Sequence, residues 1–246
     1  MIMKNQCLFL SLLLLVSARL APAQPVSNAV PAAPAPTAED KARAGYEKHT
    51  REVLAALKLD DAAKAAQVHD IMVAQFAAWR EWHFANDPRL KELWANWNKA
   101  RNTKIQTNID NAVAAIDGVY ATFKPEHDQF KARLAALLTP EQVEAVEDAL
   151  TIDKVKITCN AYGQIFHGLT DEQKAFILKK LKAAREEAID AGAMAEKSAF
   201  FKKYKDQIEA YLTAQGYDVK QAYRDFAAKQ KAEAADKLGA KAKGEE

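Results

Sequence analysis

What this chain has little of narrows the field first. Its 246 residues include two cysteines, eight glycines and eight prolines. No glycine-rich loop joins a strand-like run to a helical one, which excludes the phosphate-cradling turns of dinucleotide and P-loop folds. There is no HExxH and no Glu-x-x-His, so the five histidines lack the spacing of zinc or di-iron helical sites, and no metal or cofactor is expected. Charge excess is also missing, with 35 Lys+Arg against 33 Asp+Glu. A nucleic-acid surface wants a basic patch or stripe. The one locally basic run, residues 229–243, is interrupted by Glu233 and Asp236 and reads as a solvated helix end.

The first forty residues have a character of their own. Lys4 precedes a short apolar run at residues 7–16, closed by Arg19 and followed by Ala21-Pro22-Ala23. This is the pattern of a cleavable signal peptide, with the mature chain starting near Gln24. The run is about half of the ~20 apolar residues a bilayer span needs, so no membrane insertion is expected after cleavage. The expected location is periplasmic or secreted. Lys4 and Arg19 are the only charges before Gln24, so the mature chain keeps 33 of each sign and is formally neutral. Cys7 departs with the signal, leaving Cys159 with no cysteine to pair with in its own chain. Residues 24–38 form an Ala/Pro-rich linker without core-forming side chains, expected to be disordered.

From residue 39 to about 237 the pattern is helical almost throughout, and the last nine residues read as a disordered tail. The expectation is an all-α fold, a single bundle of seven to eight helices with one long central helix. The first helix spans about residues 38–59 and buries Tyr46, Val53, Leu54 and Leu57. Asp60 or Asp61 caps a second, with Val68, Met72, Phe76, Trp79, Trp82 and His83 in its stripe. Asp87-Pro88 reads as N-cap and first helical residue of a third. Its stripe weakens at residues 101–104 and resumes as Ile105, Ile109, Ala112, Ile116, Val119 and Phe123, a heptad-like seam, which makes this the long helix. Thr139-x-x-Gln142 and Thr170-x-x-Gln173 are capping boxes. Gly192 and Gly216 follow periodic segments, where a left-handed C-cap wants glycine. Residues 151–158 alternate like a strand, but a strand here has no partner, so a helix broken near Asp153 is expected.

Five side chains stand out as candidate ligand contacts: His83, His127, Arg185, Lys197 and Tyr204. The histidines fit hydrogen-bonded core or cap positions as well as a shared cleft. Arg185 sits at the margin of an apolar stripe. Lys197 falls among Phe200, Phe201 and Tyr204 near a helix start, where a cation is unfavourable unless a carboxylate or an anionic ligand compensates. Four tryptophans between Trp79 and Trp97 read first as a hairpin core and second as a sugar platform. Glu186 and Asp190 share a helix face that reads as solvated and charged. No catalytic constellation emerges, so enzyme and binding protein both stay open.

The stretches LTPEQVEAVEDALTIDKVKITCNAY, LTDEQKAFILKKLKAAREEAIDAG and EKSAFFKKYKDQIEAYLTAQGYDVK resemble the bacterial exported family catalogued as domain of unknown function 3826. The resemblance covers most of residues 45–235. Its most specific parts are AREEAIDAG (184–192), Lys197, FKKYK (201–205), Tyr211-Leu212 and Gly216-Tyr217, and His83 and His127 resemble the family's two histidine positions. Where the family pattern favours Gly-Arg-x-Asn-Asn, this chain has Asp206, Gln207, Glu209 and Ala210. Where it favours tyrosines, the chain has Ile152 and Cys159. The family carries no assigned activity, but its occurrence in bacteria rich in polysaccharide degradation implies a carbohydrate ligand. Two Leu-Thr-x-x-Gln copies also resemble small periplasmic helical chaperones, a motif that is largely a capping box. The reading is therefore an exported binding or structural domain. The alternatives are a carbohydrate enzyme or binding protein with a cleft around Arg185, Lys197 and Tyr204, and a chaperone.

Overall fold

Capping and periodicity place most of the helix starts. The computed structural model describes residues 37–243, with side chains up to residue 235. Residues from Ala38 onward form one unit. Among the described residues there are nine helices and no strand: α1 (Ala38–Leu57), α2 (Ala62–Thr103), α3 (Gln106–Tyr120), α4 (Lys124–Ala135), α5 (Pro140–Leu150), α6 (Lys154–Ile165), α7 (Asp171–Ala188), α8 (Met194–Ala214) and α9 (Val219–Lys243). The signal-peptide and linker readings, and Cys7, fall outside the described residues. No described helix is long and apolar enough to cross a membrane.

Asp61 caps α2, accepting from the amides of Ala63 and Lys64. Thr139 and Thr170 each accept from the Gln three residues on, whose side chain accepts in return from the threonine amide. Both Leu-Thr-x-x-Gln copies thus serve as local helix starts. Asp218 caps α9 through the amide of Gln221. The break expected near Asp153 is there: Ile152 and Asp153 both take left-handed conformations, and residues 154–158 are helix. That break makes α5 and α6 separate helices and brings the total to nine.

The long helix is not where it was expected. Asp87-Pro88 does not begin a helix, because Pro88 lies inside the 42-residue α2, and the break comes at Lys104 in a left-handed conformation. A proline inside a helix removes one hydrogen bond and costs about 3 kcal/mol. Here both flanks are pinned by burial, with Val68 and Met72 on one side and Leu90, Trp94 and Trp97 on the other. Packing of that size outweighs one lost bond. Asp87 is released from capping and meets His83 instead. At Lys104 no buried side chain holds the chain straight, so α3 folds back along α2. Ile105, counted in the seam, is 54% exposed.

Two apolar clusters result. The larger joins the C-terminal half of α2 to α3, α6, α7 and α8 around Trp97, Tyr162, Phe166, Phe200 and Leu181. The smaller joins α1, the first part of α2, α4 and α5 around Val68, Met72, Phe130, Leu134 and Val146. Between Met72 and Leu90 the buried face of α2 turns polar, with Gln75 and His83.

Candidate functional site

The polar stretch of α2 faces the turn between α7 and α8. His83 is 4% exposed. Its Nδ1 lies 2.6 Å from Asp87 Oδ1 and its Nε2 lies 2.7 Å from the Asp190 carbonyl oxygen. Both nitrogens face acceptors, so the ring meets both contacts only when it donates from each. Trp79 donates its indole N–H to the same carbonyl at 2.9 Å, and its ring packs on His83 with centroids 4.5 Å apart. Gly192 was read as a left-handed cap, but its φ is not positive. The reason for glycine is space, since a Cβ there would meet His83 Nδ1 at 2.7 Å. Glu196 accepts from the amides of Gly192 and Ala193, at 2.8 and 3.3 Å. The methyl group of Ala193 cannot accept a bond in return, so only half of a capping box forms at α8.

His127 enters the same region from α4. Its Nε2 is 2.9 Å from Glu186 Oε1, and its Nδ1 is 2.8 Å from Asp190 Oδ2. The second contact is an ion pair without good hydrogen-bond alignment, and Asp190 Oδ1, also buried, has no partner. Burial pulls the His127 pKa down, but the two carboxylates outweigh it and hold the imidazolium up to about 9. The His127 hydrogen bond, helped by Lys131, holds the Glu186 carboxyl down to about 2. The solvated-face reading is therefore corrected at Asp190, which α4 leaves 12% exposed, whereas Glu186 pairs with His127 and Lys131 while staying 43% exposed.

From Glu186 an alternating chain of charge continues. Lys131 bridges Glu186 at 2.6 Å and Glu147 at 2.9 Å. Glu147 pairs with Arg185 at 2.6 Å, and Arg185 also meets Asp148 at 2.5 Å. Arg185 is 5% exposed. It is a buried ion partner joining α7 to α5. Lys197 donates Nζ to the carbonyl oxygens of Ala188 and Ile189, at 3.0 and 3.2 Å, closing the end of α7. Burial, only partly opposed by Asp190 and Glu196, pushes its pKa down to about 8.

Of the five candidates, His83, His127 and Lys197 gather around Ile189, Asp190 and Gly192. Arg185 lies behind them, joined through Lys131 and Glu147. Tyr204 does not join: its hydroxyl donates to Glu187 at 2.5 Å, beside Lys203 and Asp117. The positions that depart from the family pattern make other contacts. Asp206 takes a two-point bond from Arg101, both at 2.8 Å, and Glu209 accepts from Tyr223. Ile152 is 55% exposed, and Cys159 borders a separate apolar cavity beside Tyr162 and Phe166. Asp87, Glu196 and Lys131 were missed by sequence reasoning. Only Asp87 carried a readable signal, one turn after His83.

Above this cluster opens a cleft of about 950 Å³. Tyr46, Trp79 and Phe84 supply its rings, and Arg43, Arg80 and Glu81 are among its charges. Among the described residues no group of three or more His, Cys, Asp or Glu side chains is arranged to hold a metal ion.

An all-helical domain with a polar cluster beneath an aromatic cleft is the class that fold and site define. Over residues 44–232 the chain matches the family described as "Protein of unknown function (DUF3826)", and it belongs to that family. Comparison with the curated proteins gives no match.

Proposed function

We propose that this chain is an exported, non-enzymatic binding protein whose cleft takes a carbohydrate. The observation that carries the reading is Phe84, a large aromatic side chain 90% exposed at a cleft that also presents Trp79 and Tyr46. Exposed rings are costly in water, whereas the apolar face of a sugar ring packs well on them. Charges of both signs around the rings offer donors and acceptors for hydroxyls, and a cleft of this size lies within the usual ~300–1,000 Å³ of ligand sites. Binding is favoured over catalysis because the titratable groups beneath are already engaged. His83 and His127 each have both nitrogens against acceptors, and Glu196 is spent on backbone amides. Export rests on the pattern of residues 1–23.

The test is a thermal-shift screen of the chain from residue 24 onward against oligosaccharides, amino acids, nucleosides and divalent cations. A ligand at a hundred times its Kd stabilises the native state by about 2.7 kcal/mol. For a chain of this size that raises Tm by roughly 5–10 °C. The expected result is a shift with at least one saccharide that Phe84→Ala reduces. A flat response to every saccharide overturns the reading.

A further inference from the structure

Beside the cleft lies a second cavity of about 230 Å³, lined by α1, α2, the end of α5, the α7–α8 turn and the start of α8. It shares Tyr46, Trp79 and Gly192 with the cleft, so the two adjoin at those residues. Phe76 adds a ring stacked on Tyr46 with centroids 5.2 Å apart. The polar side chains against it include Gln75, Asp190 and Lys197.

These three are under-used by the protein. Asp190 is 9% exposed, and its Oδ1 is buried without a donor. Gln75 as a residue is also 9% exposed, and its side-chain amide, which is not fully enclosed, makes no hydrogen bond to the described protein. Lys197 gives two of its donors to the Ala188 and Ile189 carbonyls, and as an ammonium it has a third. A fully buried polar atom without a partner, as Asp190 Oδ1 is, is rare and calls for an explanation. The local charges balance, with Asp190, Glu186 and Glu196 against His127, Lys197 and Lys131. A balanced set favours a neutral ligand over an ion.

A free acceptor, a free donor and an amide offering both, set against aromatic rings, suit vicinal hydroxyls on a compact ring. In such a ring one hydroxyl would donate a hydrogen bond to Asp190 Oδ1 and accept one from Lys197, while its neighbour would pair with Gln75. We propose that this cavity is a chain-end subsite, holding one neutral polyhydroxylated ring as the terminal unit of a saccharide whose other units lie in the outer cleft. The inference rests on the carbohydrate reading of that cleft. Size points to an end rather than a mid-chain unit, since the cavity falls below the ~300 Å³ at which ordinary ligand pockets begin.

Isothermal titration tests it with D-glucose, D-galactose, D-mannose, L-arabinose and linear oligosaccharides built from them. The variants are Gln75→Leu, which removes no hydrogen bond from the protein, and Lys197→Met, with melting curves confirming that both fold. The expected result is that Gln75→Leu weakens saccharide binding by about tenfold, the worth of one well-made hydrogen bond. A monosaccharide should also compete with the longer ligand. If Gln75→Leu binds every saccharide as the wild type does, the chain-end subsite is overturned and the outer cleft stands. If no saccharide binds the wild type, the carbohydrate reading of the cleft fails first, and this inference falls with it.

Discussion

The two apolar clusters of this bundle are built in different ways. Among the described residues the larger has eighteen buried members, six of them aromatic (Trp94, Trp97, Tyr162, Phe166, Phe200 and Phe201), drawn mainly from five helices. The smaller has eight, of which Phe130 alone is aromatic. A core of eight mostly aliphatic residues buries too little to stand by itself. It is fastened to the larger one by charge: Lys131 and His127 of α4 and Glu147 of α5 meet Arg185, Glu186 and Asp190 on the other side. Buried ion pairs add little net stability over apolar packing, but they are strongly destabilising when half-broken. Here they lie across the line where the two sets of helices meet. The candidate site lies along that seam, where polar groups are already present.

The sharpest way to break the comparison is in the larger cluster. Phe200→Ala should cost about 3–5 kcal/mol in chemical denaturation, because the ring is fully buried against Trp94 and Tyr120. A loss below about 1 kcal/mol would mean that the cluster does not behave as one packed core.

Next is the seam. Arg185→Leu removes a buried cation, leaving Asp148 without its ion partner and Glu147 with Lys131 alone, at a cost of about 3 kcal/mol. The triple variant Arg185→Leu, Glu147→Leu, Asp148→Asn should recover part of that loss. Failure of the triple variant to recover any stability would argue that apolar contacts of Arg185, and not its charge, hold the seam.

The pH dependence comes third. The folded pKa of His127, about 9, lies above its ordinary 6.5. Its contribution is therefore fully present below pH 6.5 and is lost as pH rises through 9, with an upper limit on the order of 3 kcal/mol. Lys197 works in the opposite sense. Its folded pKa of about 8 lies below the ordinary 10.5, so stability is regained between those values. Denaturation midpoints should fall from pH 6.5 to 8, level off to about 9 where the two effects oppose, and recover towards 10.5. His127→Gln should flatten the fall, and an identical slope in both proteins would remove His127 as its cause.

The smallest effect sharpens the site itself. Gly192→Ala pushes a Cβ against the His83 ring and should cost about 1–3 kcal/mol. Pairing it with His83→Ala should relieve the clash. If the two losses simply add in a double-mutant cycle, the close approach is not what requires glycine at this position.

Much of the fold was legible because its signals are local. Thr139, Thr170 and Asp218 work as helix starts through bonds three residues long, and the turn at Asp153 follows from a run that could not pair as a strand. Pro88 misled for the complementary reason. The Asp-Pro signal is real, but it was outweighed by burial on either side of it, supplied by helices remote in sequence. Glu186 and Asp190 misled in the same way, since the ring that covers their face comes from α4, fifty-nine residues before Glu186. Three of the candidate contacts gather at one place, whereas Tyr204 does not, and nothing in the spacing along the chain separated them.

The sequence by itself determined an all-helical chain, most of its helix starts and the lack of any familiar catalytic motif, because these follow from periodicity, caps and composition. Only the tertiary structure decided where the long helix runs, that α4 ties a charged helix face into a half-buried ion chain, and that Asp190 keeps an unpaired oxygen beside a cavity. Those outcomes depend on which surfaces meet, and burial between distant segments is an energy that no local window of residues contains.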